Sequence, residues 1–282
     1  MHEQAKEVGI PYPEGSQSWY SFKIGVYYAH VCYPRHPLEV RIYTGIYTWL
    51  AVLVDDGAKK DPREWSGFVA RFPSIPQPSP VAQAWASYIQ RSYEYYDHWA
   101  ASFIVTSSLN FVNASALANA ELPHYVPTVG AKSWPYYLRD KDGLSEAYAL
   151  LTFPRALYPH IACYMEALPD MIMYISFVND IMSFYKEEIA DEKSNYMHNR
   201  AFAENTDVHS VFKAVVSETI AAHRRIVLVL GGDGKEKYAQ AWLDHANGSV
   251  AMHRSMDRYR LREIGLGGNY IDDHGLMDSN RE

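Results

Sequence analysis

Apolar residues recur at three- and four-residue steps through most of the chain, the period of helices that bury one side. The pattern predicts helical segments near 18–31, 38–56, 81–97, 99–118, 144–167, 170–189, 207–230 and 235–262. Proline and glycine punctuate between them, as in "RFPSIPQPSP" at 71–80, "LPHYVPTVG" at 122–130 and "LGGDG" at 230–234. Short alternating strand patterns are scarce, and neither a repeat nor a shift in composition divides the chain. The expectation is one all-α domain over residues 1–282, built of roughly ten helices, long for a simple four-helix bundle.

One helix interrupts its own apolar pattern. After Pro169 and Asp170, which suit a helix start, the run Met171, Ile172, Met173, Ile175, Phe177, Val178 gives way to Asn179, Ser183 and Glu187. Four-residue spacing stacks these three oxygen-bearing side chains on one face. Asn and Ser are mediocre helix formers, so the stripe calls for a reason. A second acidic feature lies upstream in "LVDDGAKKDP", where Gly57 reads as the cap of a helix ending at Asp55 and Asp56. Two carboxylates at that end oppose the helix dipole by roughly 0.3–1 kcal/mol each, and a cation would reverse the penalty. The competing reading is a solvated turn with lysines beside it. Taken together, Asp55 and the Asn179, Ser183, Glu187 stripe form an all-oxygen set, which suits Mg²⁺, or Mn²⁺ as second choice, over zinc or copper. Mg²⁺ completes its shell with phosphate oxygens, which implies a phosphate or diphosphate ester as substrate.

Composition narrows the alternatives. With 282 residues, 48% of them hydrophobic, the chain can bury a large core. A formal net charge of −7 and the lack of a basic run or Gly-rich phosphate loop argue against nucleic-acid binding. The longest apolar stretch, 42–54, is too short to span a bilayer and reads as a core helix. The N-terminus lacks the layout of a signal peptide. Cys32 and Cys163 read as ordinary buried thiols, so a reducing, cytoplasmic compartment is the default.

Here the sequence resembles a known family. "NDIMSFYKE" at 179–187 reads as the N-D-x-x-S-x-x-x-E metal motif of class I terpene cyclases, closest in wording to the fungal trichodiene synthase group. "DDGAKKDP" is similar to the same family's aspartate-rich motif, of which Asp55 alone is carried over as a ligand. "YYLRDKDGLSEAY" resembles its diphosphate-sensor segment, with Arg139, Asp142 and Gly143 as sensor, linker and effector. "DRYRLREI" at 257–264 resembles its C-terminal Arg-Tyr pair, here Arg258 and Tyr259. Four motifs in the correct order span about 50 to 264.

The resemblance implies a helical bundle around a central apolar pocket, with three Mg²⁺ ions holding the diphosphate of a linear isoprenoid, two through Asp55 and one through Asn179, Ser183 and Glu187. Arg139, Lys186, Arg258 and Tyr259 would donate to the diphosphate. The substrate is expected to be farnesyl diphosphate and the product a sesquiterpene, with room for a homodimer. After ionisation the pocket must be dry and apolar, which 10 Phe, 7 Trp and 23 Tyr allow. Thr48, Val52, Ile172, Ile175 and Ser176, a turn or two before the ligands, are candidate pocket walls, and so is Phe153; each could equally be plain core. Arg258 could instead pair with Glu263 on the surface, and Lys186 could be a solvated flank of Glu187 and Glu188. None of the twelve histidines is assigned a role. Two other readings stay open: a prenyl-chain-elongating transferase, disfavoured because it would carry a second aspartate-rich motif, and a noncatalytic helical scaffold.

Overall fold

A computed structural model describes residues 1–125 and 127–268. Among these residues the chain is helical without strands. Fourteen α-helices follow in order: α1 His2–Val8, α2 Gln17–Cys32, α3 Leu38–Lys60, α4 Pro62–Trp65, α5 Phe68–Arg71, α6 Pro80–Gln90, α7 Ser92–Tyr95, α8 His98–Ala120, α9 Trp134–Asp142, α10 Ser145–Leu151, α11 Leu168–Ile189, α12 Tyr196–Glu204, α13 Val208–Leu230 and α14 Glu236–Ser255. The excess over ten comes from single-turn helices and from α1, α9 and α12, which are too short to register as periodicity. The expected span to residue 282 includes 269–282, which lie outside the described residues.

Local chemistry sets the helix starts. Ser16, Ser79, Asp97, Asn195 and Asp207 each cap a helix by accepting from a backbone N–H in its first turn. Such caps contribute about 1 kcal/mol apiece. Pro80 and Pro169 follow inside the first turns of α6 and α11, where their missing N–H costs nothing.

Three boundaries differ from the sequence reading. The segment 144–167 is not one helix: α10 ends at Leu151, and Pro154 and Pro159 turn the rest into loop and 3₁₀ turns. The segment 235–262 stops at Ser255, followed by 3₁₀ turns at Asp257–Tyr259 and Leu261–Ile264 around the left-handed Arg260. And α3 does not end at Asp55: it runs through Gly57 to Lys60. Gly57 is there for close packing, since a Cβ would lie 3.0 Å from the indole of Trp65. The dipole argument for Asp55 therefore weakens, because Lys59 and Lys60 occupy the last turn.

The core runs through the bundle and is largely aromatic, with Trp49, Trp85, Trp242, Tyr43, Tyr47 and Tyr96 fully buried. Among the described residues α8 alone has the length and hydropathy to cross a membrane. It packs against α3, α9 and α10, and 56% of its apolar window is buried inside the protein, as in a core helix. Cys32 is buried and Cys163 half-buried, so only the first fits the expectation; both are free. The helices leave a cavity of about 760 Å³, walled by α2, α3, α8, α9, α10, α11, α12 and α14.

Candidate active site

The cavity has two chemically distinct ends. Its apolar part is lined by Ile24, Tyr28, Val52, Phe111, Tyr148 and Ile175. The ring centroids of Tyr28 and Tyr148 lie 4.9 Å apart, and the Tyr148 hydroxyl is satisfied by donating to Thr48 Oγ1 at 3.2 Å; all three residues line the cavity. Its polar part gathers Asp55, Arg139, Asp142, Gly143, Asn179, Lys186, Glu187, Arg258 and Tyr259, brought from α3, α9, α11 and the turn after α14. Helices with one polar turn each thus converge at one mouth.

The α11 stripe is tightly enclosed. Ser183 is 2% exposed, and its Oγ finds no hydrogen-bond partner among the described residues. Several other buried helical hydroxyls return their proton to the carbonyl four residues back, as Thr48 does to Thr44 and Ser108 to Ile104. Ser183 does not, which costs the folded chain roughly 1–3 kcal/mol; unlike Asn179 and Glu187, it does not line the cavity in this state. Glu187 Oε2 accepts from Asn195 Nδ2 at 3.1 Å, and Lys186 Nζ stands 3.7 Å from Oε1. Asn179 Nδ2 faces His253 Nε2 at 3.2 Å, while Arg139 Nη2 reaches Asn179 Oδ1 at 3.4 Å.

Opposite, Asp55 is half-buried and accepts from Lys59 at 2.9 Å. Asp56 turns outward to accept from Gln17, and Asp61 is exposed at the end of α3. Neither lines the cavity. Among the described residues no three or more His, Cys, Asp or Glu side chains gather that could hold a metal ion. The oxygens that line the cavity are a carboxylate from α3 and an amide and a carboxylate from α11, with the buried Ser183 hydroxyl lying between the latter two on the same helix face but outside the lining. That donor set, with a buried hydroxyl left without a partner, fits a hard, hydrated cation such as Mg²⁺.

Arg139 sits where α9 breaks. A Cβ at Gly143 would collide with its guanidinium, and Leu144 follows in the left-handed region at φ 53°. Arg139 Nε donates to both oxygens of Asp180 at 2.8 and 2.9 Å, and Nη2 donates to the Ser176 carbonyl at 3.1 Å. Asp142 Oδ1 lies 3.4 Å from Nη1. Burial pushes the Asp180 carboxyl up to about 7 despite the arginine. Burial, then the nearby Asp55 charge, pushes Asp142 up to about 6 against the pull of Arg139. The guanidinium is thus fully engaged by protein acceptors in this state.

Lys186 is half-buried, with its ammonium 5.7 Å from the Tyr259 ring centroid; burial and the charge of Arg258 lower its pKa, though Glu187 opposes them. Arg258 is exposed, with no hydrogen bond or ion pair among the described residues. The surface-pair reading is displaced, because Arg260 takes Glu263 at 2.7 Å. Tyr259 is buried against His253, ring centroids 4.4 Å apart.

Of the candidate pocket residues, Thr48, Val52 and Ile175 line the cavity. Phe153 does not. It is fully buried away from the space, stacked on Tyr164 at 4.2 Å, because Pro154 carries the chain out of α10. Ser176 points to Ser145 at 2.7 Å, and Ile172 packs on the core. Two residues escaped the sequence reading. Asp180 was visible as the second letter of "NDIMSF", but only the structure shows it buried on Arg139. His253 carries no metal spacing and gave no signal.

The trichodiene synthase family model matches residues 20–270. The chain belongs to the trichodiene synthase family. It is 38% identical over 263 residues to "Terpene synthase BipA" of Cochliobolus sativus, covering 93% of this chain and 80% of that one. It is 36% identical over 270 residues to "Longiborneol synthase CLM1" of Gibberella zeae, covering 93% and 78%. Among solved structures it is similar in fold to the linalool/nerolidol synthase of Streptomyces clavuligerus in complex with 2-fluorogeranyl diphosphate, at a TM-score of 0.66 and 14% identity, covering 89% and 95%. The protein is therefore a class I terpene synthase, a lyase whose substrate is a prenyl diphosphate.

Proposed function

We propose that this synthase ionises farnesyl diphosphate with the help of Mg²⁺ and cyclises the cation to a sesquiterpene. The observation that carries the reading is the division of one cavity into a polar mouth and an apolar, aromatic interior. Asp55 on one wall and Asn179, Ser183 and Glu187 on the other would hold the metal. Mg²⁺ bound there supplies positive charge against the leaving diphosphate.

The chain's own residues do the rest. Arg258 lies exposed at the mouth, and Lys186 is close by. Both can donate charge-assisted hydrogen bonds to diphosphate oxygens. As the allylic carbon–oxygen bond breaks, both electrons leave with the diphosphate, so donors aimed at those oxygens favour the transition state over the substrate. Arg139 would join them only by leaving Asp180 and Asp142, which makes its engagement conditional on an anion. The prenyl chain then lies against Val52, Ile175, Tyr28 and Tyr148. Ring faces within about 6 Å attract a cation by roughly 0.5–2 kcal/mol, and the apolar wall keeps water from quenching it. The C15 chain length rests on membership of the trichodiene synthase family.

Incubation with Mg²⁺ and geranyl, farnesyl and geranylgeranyl diphosphates separately, with mass spectrometry of the volatiles, tests the reading. A cyclic C15 product from farnesyl diphosphate supports it. Longer linear diphosphates would favour chain elongation, and a cyclic product from another chain length alone would overturn the substrate assignment.

A further inference from the structure

We propose that His253 is a positioning residue that orients the Asn179 amide, so that Oδ1 rather than Nδ2 faces the metal. The inference deepens the proposed metal site and rests on it.

The hydrogen bonds leave one consistent arrangement. His253 Nδ1 lies 2.7 Å from the Ser249 carbonyl, an acceptor only, so Nδ1 carries the proton. The ring is 3% exposed, and no carboxylate accepts from it among the described residues, so the imidazole is neutral and Nε2 is an acceptor. The group 3.2 Å from Nε2 must then be the Asn179 NH₂. Fixing that end fixes the other: Oδ1 turns toward Arg139, whose Nη2 stands 3.4 Å away. An unclamped amide could present NH₂ instead, which cannot bind a cation.

The clamp also ties elements together. Ser249 and His253 lie on α14, Asn179 on α11 and Arg139 on α9, and the other side of the His253 ring is covered by Tyr259. The backbone carbonyl of one helix thereby orients a candidate ligand of another. Partners that orient ligands from behind typically change metal affinity by ~10–100-fold when removed.

Two substitutions separate orientation from packing. His253→Gln offers a side-chain oxygen that can accept from Asn179, while His253→Leu fills similar space without an acceptor. The readout is the rise in melting temperature on titrating Mg²⁺ at fixed, saturating inorganic diphosphate, which needs no turnover. The expected result is a midpoint shifted ~10-fold or more to higher Mg²⁺ in His253→Leu and restored to within about threefold in His253→Gln. If the Leu variant does not fold, His253→Met, flexible enough to fill the site, takes its place with the same expected shift. A folded Leu or Met variant that titrates like the wild type overturns the role of His253, and so does a Gln variant as impaired as Leu. A wild type that fails to respond to Mg²⁺ and diphosphate together overturns the metal site itself, a distinguishable failure.

Discussion

The two walls of the cavity mouth carry the same chemistry on different terms. On α11, Ser183 is 2% exposed, Asn179 is held from both ends by His253 and Arg139, and Glu187 is held by Asn195. On α3, the Asp55 side chain is 33% exposed and, among the described residues, tied only to Lys59, one turn along the same helix. An ion pair of that kind contributes a few tenths of a kcal/mol. One wall is therefore set before any ligand arrives, whereas the other can adjust to it. If the proposed metal site holds, α11 would fix where a cation sits, while Asp55 on α3 and the exposed Arg258 would adjust to what is bound.

Chelation breaks the comparison outright, because it removes what both walls are proposed to share. In EDTA, turnover of farnesyl diphosphate should fall below detection and return with Mg²⁺. Zn²⁺ should restore little, since the oxygen-only donors give it no preferred nitrogen or sulfur. Full turnover in chelator would end the mechanism.

The next largest effects separate the walls. Asp55→Ala and the pair Asn179→Ala with Ser183→Ala should each lower kcat by roughly 10²-fold or more with helix content unchanged. Asp55→Glu should retain more activity than Asn179→Gln, because a half-exposed side chain has room for a methylene and a clamped one does not. Asp56→Ala and Asp61→Ala should stay within about twofold of wild type, as neither lines the cavity. Comparable losses at Asp61 and Asp55 would show that the aspartate motif works as a longer unit than the geometry indicates.

The α11 stripe was legible in the sequence for a physical reason: a four-residue spacing survives translation into a helix face without knowledge of the partner elements. Arg139, Lys186, Arg258 and Tyr259 were found by resemblance, and the structure brings them to the same mouth. Phe153 was misplaced because the reading carried helical phase from Gly143 past Leu151, whereas Pro154 ends it. Gly57 was read as a terminator when it serves packing against Trp65, two uses of glycine that a lone sequence does not distinguish. Asp180 and His253 act through contacts across α9, α11 and α14, and no local pattern encodes a partner 41 or 74 positions away.

Acid sharpens the contrast from behind the walls. The helix backing α11, α14, carries His245, which is fully buried between Trp242 and Tyr33 and whose pKa burial pushes down to about 3. His36, stacked on Tyr33, is pushed by burial down to about 4. Both folded values lie below the unfolded value near 6.5. The unfolded chain therefore takes up protons first as pH falls, and stability present above about 6.5 is lost toward about 4. Asp142 and Asp180, with raised values, work in reverse, losing their contribution as pH rises through about 6 and about 7. The difference between variant and wild type isolates the histidine. His245→Gln should flatten the loss of melting temperature between pH 6.5 and 4, by an amount of order 1–3 kcal/mol at the acid end. Parallel curves would show that His245 is protonated in the folded state.

The smallest expected effect tests whether α11 is strained in preparation for a ligand. Ser183 keeps a buried hydroxyl without a partner among the described residues, which costs the folded state roughly 1–3 kcal/mol relative to a satisfied one. Alanine removes that cost and is the better helix former by about 0.5 kcal/mol, while the single oxygen lost leaves little void. Ser183→Ala should therefore match or exceed the metal-free wild type in stability, by about 1 kcal/mol, or a rise of roughly 2–4 °C in melting temperature for a chain of this size. The order should invert on adding Mg²⁺ with inorganic diphosphate, because the wild type gains a ligand contact that alanine lacks. A site that gives up stability when empty and regains it when filled is the signature of a function built into the fold. A Ser183→Ala protein less stable than wild type without metal would mean that the hydroxyl already has a partner, and that α11 is not held in reserve at all.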